Sequence, residues 1–296
     1  MTVPAGDPDV GTVRALLAEQ FPSLAREDVR RLTTSGTENE AFRVGNFLLR
    51  LPRDDDAEAG LAKEVQWLPR LTGAIPLELP EIAHMGTPTE VFPRTWTIHR
   101  WIEGEDASRR VLAGEVPGRW ADQLAELVRA LGRFDLGAVP LSQWPVGGRG
   151  GPLSDRVDAL ATMDDPLAGR PDPSPVAGVI EAALAARPDP VDPVLLHADL
   201  IPGNLVVRGD RLVGLIDLGT LTTGVPAWDL TPAWWVLDRP GRARFRPALG
   251  ADDASWSWGR ALAATQGLLA QWFYAPRHHP LAALGARAVQ ECLADG

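Results

Sequence analysis

One cysteine, one lysine and one tyrosine stand among 296 residues. The lone cysteine, Cys292, excludes an intramolecular disulfide and fits a reducing cytoplasm. No run of about 18 apolar residues occurs, so no membrane-spanning helix is expected. The first residues, Met1 to Arg14, contain Asp7 and Asp9 and lack a basic start followed by an apolar stretch, so no secretory signal is expected. There is no basic tract, and the net charge is −10 at pH 7. That balance argues against nucleic acid as a partner. It suits a cationic small substrate, but many soluble enzymes are as acidic, so the charge alone decides little. Lys63 is the one lysine among 29 basic side chains. Arginine in place of lysine, with frequent alanine and proline, is the composition of a GC-rich genome.

Along the chain, hydrophobic period separates a β-rich first third from a mostly helical remainder. Residues Gly11 to Phe21 read as a short helix with Val13, Leu16, Leu17 and Phe21 on one face. Val29 to Leu32, Ala41 to Val44 and Asn46 to Leu51 read as strands, the last two joined by a tight turn at Gly45-Asn46. From Glu58 to Leu71 the spacing of Leu61, Val65, Leu68 and Leu71 predicts a helix. Asp54, Asp55 and Asp56 supply its cap and favourable N-terminal charge. Ile82 to Met85 and Val91 to Trp101 read as further strands. Trp120, Leu124, Leu127, Val128 and Leu131 then predict an amphipathic helix. Near the C-terminus, Trp258, Ala261, Leu262, Thr265, Leu268, Leu269 and Trp272 share a helical face. The expected fold class is α+β in two lobes, 1–103 and 104–296, with the boundary near Glu103-Gly104. No internal repeat is present.

The densest chemistry lies in His197-Ala198-Asp199-Leu200-Ile201-Pro202-Gly203-Asn204. Short strands at Leu205 to Val207 and Leu212 to Ile216 follow as a hairpin, and then Ile216-Asp217-Leu218-Gly219. An Asp near an Asn in a Pro-Gly loop is, by itself, an ordinary turn. The spacing H-x-D-x-x-x-x-N followed by a hairpin and D-x-G is a stronger pattern, shared with kinase catalytic loops. Phosphoryl transfer needs a carboxylate to orient the acceptor hydroxyl and take its proton. It also needs hard oxygen ligands for Mg²⁺ on the phosphates. A loop between short strands can present Asp199 at its apex and return Asn204 toward a metal, and the hairpin delivers Asp217 beside it.

With these motifs the chain resembles the aminoglycoside phosphotransferase family, antibiotic kinases of protein-kinase-like fold. The resemblance rests on Ser35 to Asn39, Phe47 to Pro52, Trp96 to Gly104, Gly150 to Leu153, His197 to Asn204, Ile216 to Gly219 and Pro226 to Leu230. It implies an N-terminal nucleotide-binding lobe with an antiparallel sheet and one main helix, and a helical C-terminal lobe for catalysis and substrate binding. Asp199 would be the catalytic base, Asn204 and Asp217 the Mg²⁺ ligands, and His197 a structural residue. Ser35, Gly36, Thr37, Glu38 and Asn39 would form the loop over the phosphates of ATP or GTP. Arg50 occupies the strand position where kinases keep a phosphate-binding lysine, with Glu64 as its partner; Lys63, on the following helix, cannot substitute. Backbone groups near Arg100, Trp101 and Ile102, in a segment resembling the hinge between lobes, would hydrogen-bond the base. The implied activity is transfer of the γ-phosphoryl group to a hydroxyl of an antibiotic: an aminoglycoside, a macrolide, or a peptide or nucleoside antibiotic. A cytoplasmic monomer or homodimer is expected.

The stretch Gly224-Val225-Pro226-Ala227-Trp228-Asp229-Leu230 departs from the family pattern. Asp229 is expected to be structural, while Val225 and Thr220 stand where acids are frequent, which weakens the case for a polycationic acceptor. Trp228, Trp234, Trp235, Trp256, Trp258 and Trp272 are core candidates first and lining of a stacking pocket second. Asp252, Asp253 and Glu291 are caps or surface charges before they are ligands for an amino substrate. His278-His279 lacks the accompanying ligands of a metal site. Only a few residues separate Gly219 from Pro226, too few for the peptide-binding segment of a protein kinase. A metabolic kinase for choline, homoserine or a sugar is the nearest rival, and a nucleotide-binding pseudokinase a more distant one.

Overall fold

The first helix, α1 (Val10–Gln20), starts where Asp9 accepts from the Thr12 backbone N–H at 2.8 Å, a capping box that satisfies N–H groups of the first turn. It buries Val13, Leu16 and Leu17 against a five-stranded antiparallel sheet. The computed structural model describes residues 8–32, 38–137, 149–186, 188 and 191–295. The sheet strands are β1 (Val29–Arg31), β2 (Asn39–Val44), β3 (Phe47–Pro52), β4 (Ile82–Gly86) and β5 (Trp96–Arg100), in the order β1-β2-β3-β5-β4. Alternation decides the two faces. Phe42, Val44, Leu49, Leu51, Trp96 and Ile98 enter the α1 core. Arg50, Thr97 and His99 take the opposite parity, and α2 (Asp55–Leu71) packs on β3 and β5. That helix begins at Asp54, which caps the Ala57 N–H at 2.9 Å. Asp55, Asp56 and Glu58 fill its first turn, where negative charge is favoured. Val91 to Trp101 is not one strand. Pro93 has no N–H for a ladder, the Thr89 hydroxyl turns the chain by accepting from the Phe92 N–H at 3.1 Å, and pairing begins only at Trp96.

This sheet and its two helices form one unit, residues 1–72 and 78–103; residues 73–77 and 104–296 form the other. The second unit holds two small sheets. β6 (Glu105–Asp106), β8 (Leu205–Arg208) and β9 (Arg211–Leu215) form one, in the order β6-β8-β9, and β7 (Val194–Leu196) pairs with β10 (Thr222–Gly224). The β8–β9 hairpin is clamped by α4 (Arg119–Gly132). Gln123 donates to the Leu212 carbonyl at 2.8 Å and accepts its N–H at 3.1 Å, and the Trp120 indole donates to the Asp210 carbonyl at 3.1 Å.

Helices α3 (Ser108–Leu112), α5 (Leu153–Thr162), α6 (Ala177–Ala186), α7 (Pro232–Trp235), α8 (Arg239–Leu249), α9 (Asp253–Tyr274) and α10 (Leu281–Ala294) complete the unit. α9 does not show the single apolar face expected of it: every residue from Ala261 to Gly267 is buried, while Leu268, Leu269 and Trp272 are partly exposed. Small residues make this possible. A Cβ on Gly267 would lie 2.8 Å from the Gly285 carbonyl, so α9 and α10 meet backbone to backbone. Among the described residues no helix is long and apolar enough to cross a membrane.

Candidate active site

The loop after β7 is built from backbone hydrogen bonds and one buried carboxylate. Asp229 accepts from the N–H groups of His197 at 2.9 Å and Ala198 at 2.8 Å. This holds Ala198 at φ +61°, a left-handed conformation that an alanine adopts only when its surroundings enforce it. Asp199 follows, and its carbonyl accepts from Ile201 at 2.8 Å. A short 3-10 turn, Pro202–Asn204, then returns the chain. The Asn204 amide donates to the Asp199 carbonyl at 2.9 Å and to its Oδ2 at 3.1 Å. The Asn204 carbonyl accepts from Ile216 at 3.0 Å, which ties the loop to the end of β9 next to Asp217. Asp217 is itself left-handed, φ +63°. His197 lies 3.2 Å through Nε2 from the Ile216 carbonyl, so Nε2 carries the hydrogen; burial holds the ring below its ordinary pKa, and it is neutral. Thr220 donates its hydroxyl to the His197 carbonyl at 2.8 Å.

Burial pushes the Asp229 carboxyl up to about 7 despite the two N–H groups it accepts, with the Asp199 charge adding to the rise. A carboxyl raised in the folded state binds a proton there that the unfolded chain has released. Its contribution to stability is therefore full below the unfolded value of 3.8 and is lost as pH rises toward about 7. Asp229→Asn removes this slope. In urea unfolding between pH 4 and pH 8, the advantage of the wild type over the variant should shrink with rising pH, by at most on the order of 4 kcal/mol. A constant difference across that range would contradict the assignment.

Arg149 was not anticipated as a site residue. Its Nη2 lies 3.1 Å from Asp199 Oδ1; the two side chains are 27% and 13% exposed. Asp199 thus has one oxygen on Asn204 and the other on Arg149. Arg156, buried on α5, lies near enough that both charges act on it. Burial, then Arg149, pushes its pKa down to about 10, with Asp199 opposing.

In the N-terminal unit the structure brings Arg50 and Glu64 together at 2.6 Å, with side chains 11% and 1% exposed. His99 is beside them in electrostatic terms: burial, then the Arg50 charge, pushes it down to about 3, and the neutral ring shares a 2.8 Å hydrogen bond with Thr97. The Glu38 carbonyl accepts from Arg53 at 2.9 Å and Asn39 opens β2 opposite Pro52. Ser35, Gly36 and Thr37 lie outside the described residues. The expected contacts to the base need narrowing. The Arg100 N–H donates to the Glu81 carbonyl at 2.8 Å and the Trp101 N–H to the Asn46 carbonyl at 3.0 Å, both within this unit. That leaves the Ile102 N–H and the carbonyls of the segment.

The six tryptophans singled out in the sequence are engaged in packing or in indole hydrogen bonds. Trp228, Trp234 and Trp235 are buried, and Trp256 packs on Trp234 with centroids 4.6 Å apart and the rings tilted by 46°. Trp258 donates its indole N–H to the Ala183 carbonyl on α6, and Trp272 donates its own to the Ala168 carbonyl in a turn. Asp252 caps α9, Asp253 pairs with Arg246, and Glu291 pairs with Arg242 at 2.7 Å. His279 accepts the Leu281 N–H through Nδ1.

Among the described residues no cluster of three or more His, Cys, Asp or Glu side chains forms a self-sufficient metal site. Asn204 and Asp217 nevertheless fit Mg²⁺. With its amide nitrogen spent on Asp199, Asn204 has Oδ1 as a hard donor, and a carboxylate at residue 217 supplies another. Mg²⁺ is commonly held by one or two such side chains plus phosphates and water.

A chain with this loop, this hairpin and an N-terminal antiparallel sheet is a kinase-type phosphotransferase of protein-kinase-like fold. The model of the phosphotransferase enzyme family, APH, matches residues 28–264, and the chain belongs to that family. Comparison with curated proteins found no match in sequence. Among solved structures, the GDP complex of aminoglycoside 2'-phosphotransferase-IIIa superposes with a TM-score of 0.74 at 19% identity, covering 97% of this chain and 99% of the other. Aminoglycoside phosphotransferase APH(4)-Ia superposes at 0.64 and 22% identity, covering 97% and 100%. The streptomycin-ATP-APH(2")-IIa ternary complex does so at 0.59 and 16% identity, covering 91% of each. At these identities the likeness speaks for the fold.

Proposed function

We propose that this phosphotransferase moves the γ-phosphoryl group of ATP or GTP to a hydroxyl of a small molecule, and that the acceptor is an antibiotic inactivated by the modification. The observation that carries the reading is the paired hold on Asp199. Its carboxylate is fixed by the Asn204 amide at 3.1 Å, on a loop tied through the Asn204 carbonyl to the residue before Asp217. In this reading Asp199 orients the acceptor hydroxyl and takes its proton. Asn204 and Asp217 hold Mg²⁺, which when bound neutralises charge on the phosphates. Arg50, locked by Glu64, is a phosphate contact. Glu38 and Asn39 continue the loop proposed to cover the phosphates, and the backbone around Ile102 reads the base. The antibiotic reading is supported by the solved relatives that bind kanamycin, streptomycin and hygromycin B. Val225, Thr220 and the cation of Arg149 favour an acceptor less cationic than those aminoglycosides, which keeps a metabolic kinase as the second reading. We place the protein in the cytoplasm as a monomer or homodimer.

The test is purified protein with Mg²⁺ and ATP or GTP. Acceptors are aminoglycosides, macrolides, peptide and nucleoside antibiotics, and choline, homoserine and simple sugars, with phosphorylated product read by mass spectrometry. A phosphate ester on an antibiotic supports the reading. Turnover confined to the metabolites replaces it with the metabolic one. Nucleotide binding without turnover on any of these hydroxyls points to a pseudokinase.

A further inference from the structure

Arg149 enters the proposed function only through its charge, with no part in the transfer step. Its placement is fixed from behind. The Gly150 carbonyl accepts from Val225 at 2.9 Å, and the Gly151 carbonyl accepts the Trp228 indole N–H. The backbone at residue 150 lies flat against β10. A Cβ on Gly224 would fall 2.1 Å from the Gly150 carbonyl oxygen, and Gly150 itself is left-handed at φ +91°. No side chain other than hydrogen fits at either position, so the two backbones lock face to face. The guanidinium that follows from this lock reaches Asp199 Oδ1 at 3.1 Å. It is therefore held on a rigid support, at the oxygen that Asn204 does not occupy.

An arginine on a general base has a cost. It stabilises the carboxylate and so opposes the proton transfer that the base must accept. The arrangement makes chemical sense if the guanidinium has a second anion to serve. A guanidinium presents five N–H donors in one plane, suited to bridging a carboxylate and a phosphoryl oxygen. Each Asp199 oxygen already accepts one hydrogen bond at 3.1 Å and has a lone pair left for an acceptor hydroxyl; docked on Oδ1, the hydroxyl shares that oxygen with Arg149. The phosphoryl group attacked by that hydroxyl must then lie next to the same guanidinium. Behind it, buried Arg156 adds a second positive charge, held over the Trp228 ring at 5.8 Å. Arg156 lies near enough that the charges of both Arg149 and Asp199 act on it.

We propose that Arg149 is a catalytic residue that donates hydrogen bonds to the transferring phosphoryl group, an arginine supplied by the chain itself. The inference rests on Asp199 being the acceptor's base. In the step, the acceptor oxygen forms a bond to the γ-phosphorus while the bond from that phosphorus to the bridging oxygen breaks. The electron pair leaves with the nucleoside diphosphate, and the hydroxyl proton passes to Asp199 Oδ1. As Asp199 becomes neutral, its attraction for Arg149 falls and the guanidinium's charge is met by the phosphoryl oxygens. Positive charge moves to where negative charge develops, which is the way arginines act in other phosphoryl-transfer sites.

The experiment measures binding of the Mg²⁺ complexes of ADP and GDP, with and without aluminium fluoride as a mimic of the transferring phosphoryl, by titration calorimetry on the full chain. For the wild type, aluminium fluoride should tighten binding of the preferred diphosphate by about 100-fold or more. Arg149→Gln should lose most of that tightening while binding the diphosphate alone within about threefold of wild type, and Arg149→Lys should recover part of it, supplying charge without the planar fork. Asp199→Asn, which removes the ion pair but leaves the guanidinium, should keep the tightening; its loss there would reduce Arg149 to a positioning residue and overturn the proposal. So would wild-type tightening in Arg149→Gln, absence of tightening in the wild type, or loss of diphosphate binding in both Arg149 variants. Failure of the wild type to bind either diphosphate would instead remove the nucleotide reading, and this inference with it.

Discussion

Asp199→Ala should lower kcat by between about 10² and 10⁴-fold, the usual contribution of a positioned general acid or base. At 1.36 kcal/mol per factor of ten, that is roughly 3 to 5 kcal/mol of transition-state stabilisation. Nucleotide affinity should survive, because the loop does not depend on the carboxylate for its shape. Asn204 keeps its 2.9 Å bond to the residue 199 carbonyl, Ile201 keeps its bond to the same oxygen at 2.8 Å, and Asp229 still fixes the two N–H groups upstream. Arg149, which loses its carboxylate partner, is partly exposed and can be hydrated instead. Asp199→Asn is the isosteric check: it keeps the shape and removes the basic oxygen, so it should be nearly as slow. The measurement is steady-state turnover with the acceptor found in the panel, alongside titration of the nucleotide. Near-normal turnover in either variant would remove Asp199 from the role of base.

The parts that were legible in the sequence are those whose chemistry is local. The α1 helix, the β2–β3 hairpin and the α2 cap follow from spacing within about a dozen residues, and the structure places them within a residue or a few of their expected bounds. The loop from His197 to Asn204 was equally legible, since Pro202 and Gly203 compel a turn and Asn204 closes it onto Asp199 within five positions. Arg149 could not be read in the same way. Fifty residues separate it from Asp199, and an arginine among glycines and prolines looks like any loop charge until β10 folds against Gly150. That the N–H groups of Arg100 and Trp101 are already engaged was not legible for a related reason. Whether an N–H is available to a ligand depends on which strand or turn lies opposite, and the Glu81 and Asn46 carbonyls come from elsewhere in the sheet. The tryptophans illustrate the remaining gap. Composition announces that they are many, but only packing shows that indoles such as those of Trp228, Trp258 and Trp272 spend their N–H groups on backbone carbonyls.

Asp217→Asn should abolish most metal-supported turnover while leaving the fold in place, and the backbone explains why asparagine is the right replacement. Residue 217 is held at φ +63° between β9 and a short 3-10 turn, Leu218–Thr220. Asparagine shares with aspartate a tolerance for the left-handed region that alanine lacks, so the variant changes charge without straining the chain. What is lost is an anionic oxygen for Mg²⁺. Removing partners one shell further out from a metal commonly costs 10- to 100-fold in affinity or activity, so a direct ligand should cost at least about 100-fold. Asn204 cannot compensate: its amide nitrogen is committed to Asp199, and its one remaining side-chain oxygen carries no full charge. The expected result in a Mg²⁺ titration at saturating nucleotide is a half-saturation point moved upward by that factor, with depressed turnover at the plateau. Thermal unfolding in the absence of metal should be close to wild type. A Mg²⁺ dependence unchanged in Asp217→Asn would refute the ligand assignment, and it would do so independently of Asp199, whose loss should slow turnover at every Mg²⁺ concentration without moving the half-saturation point.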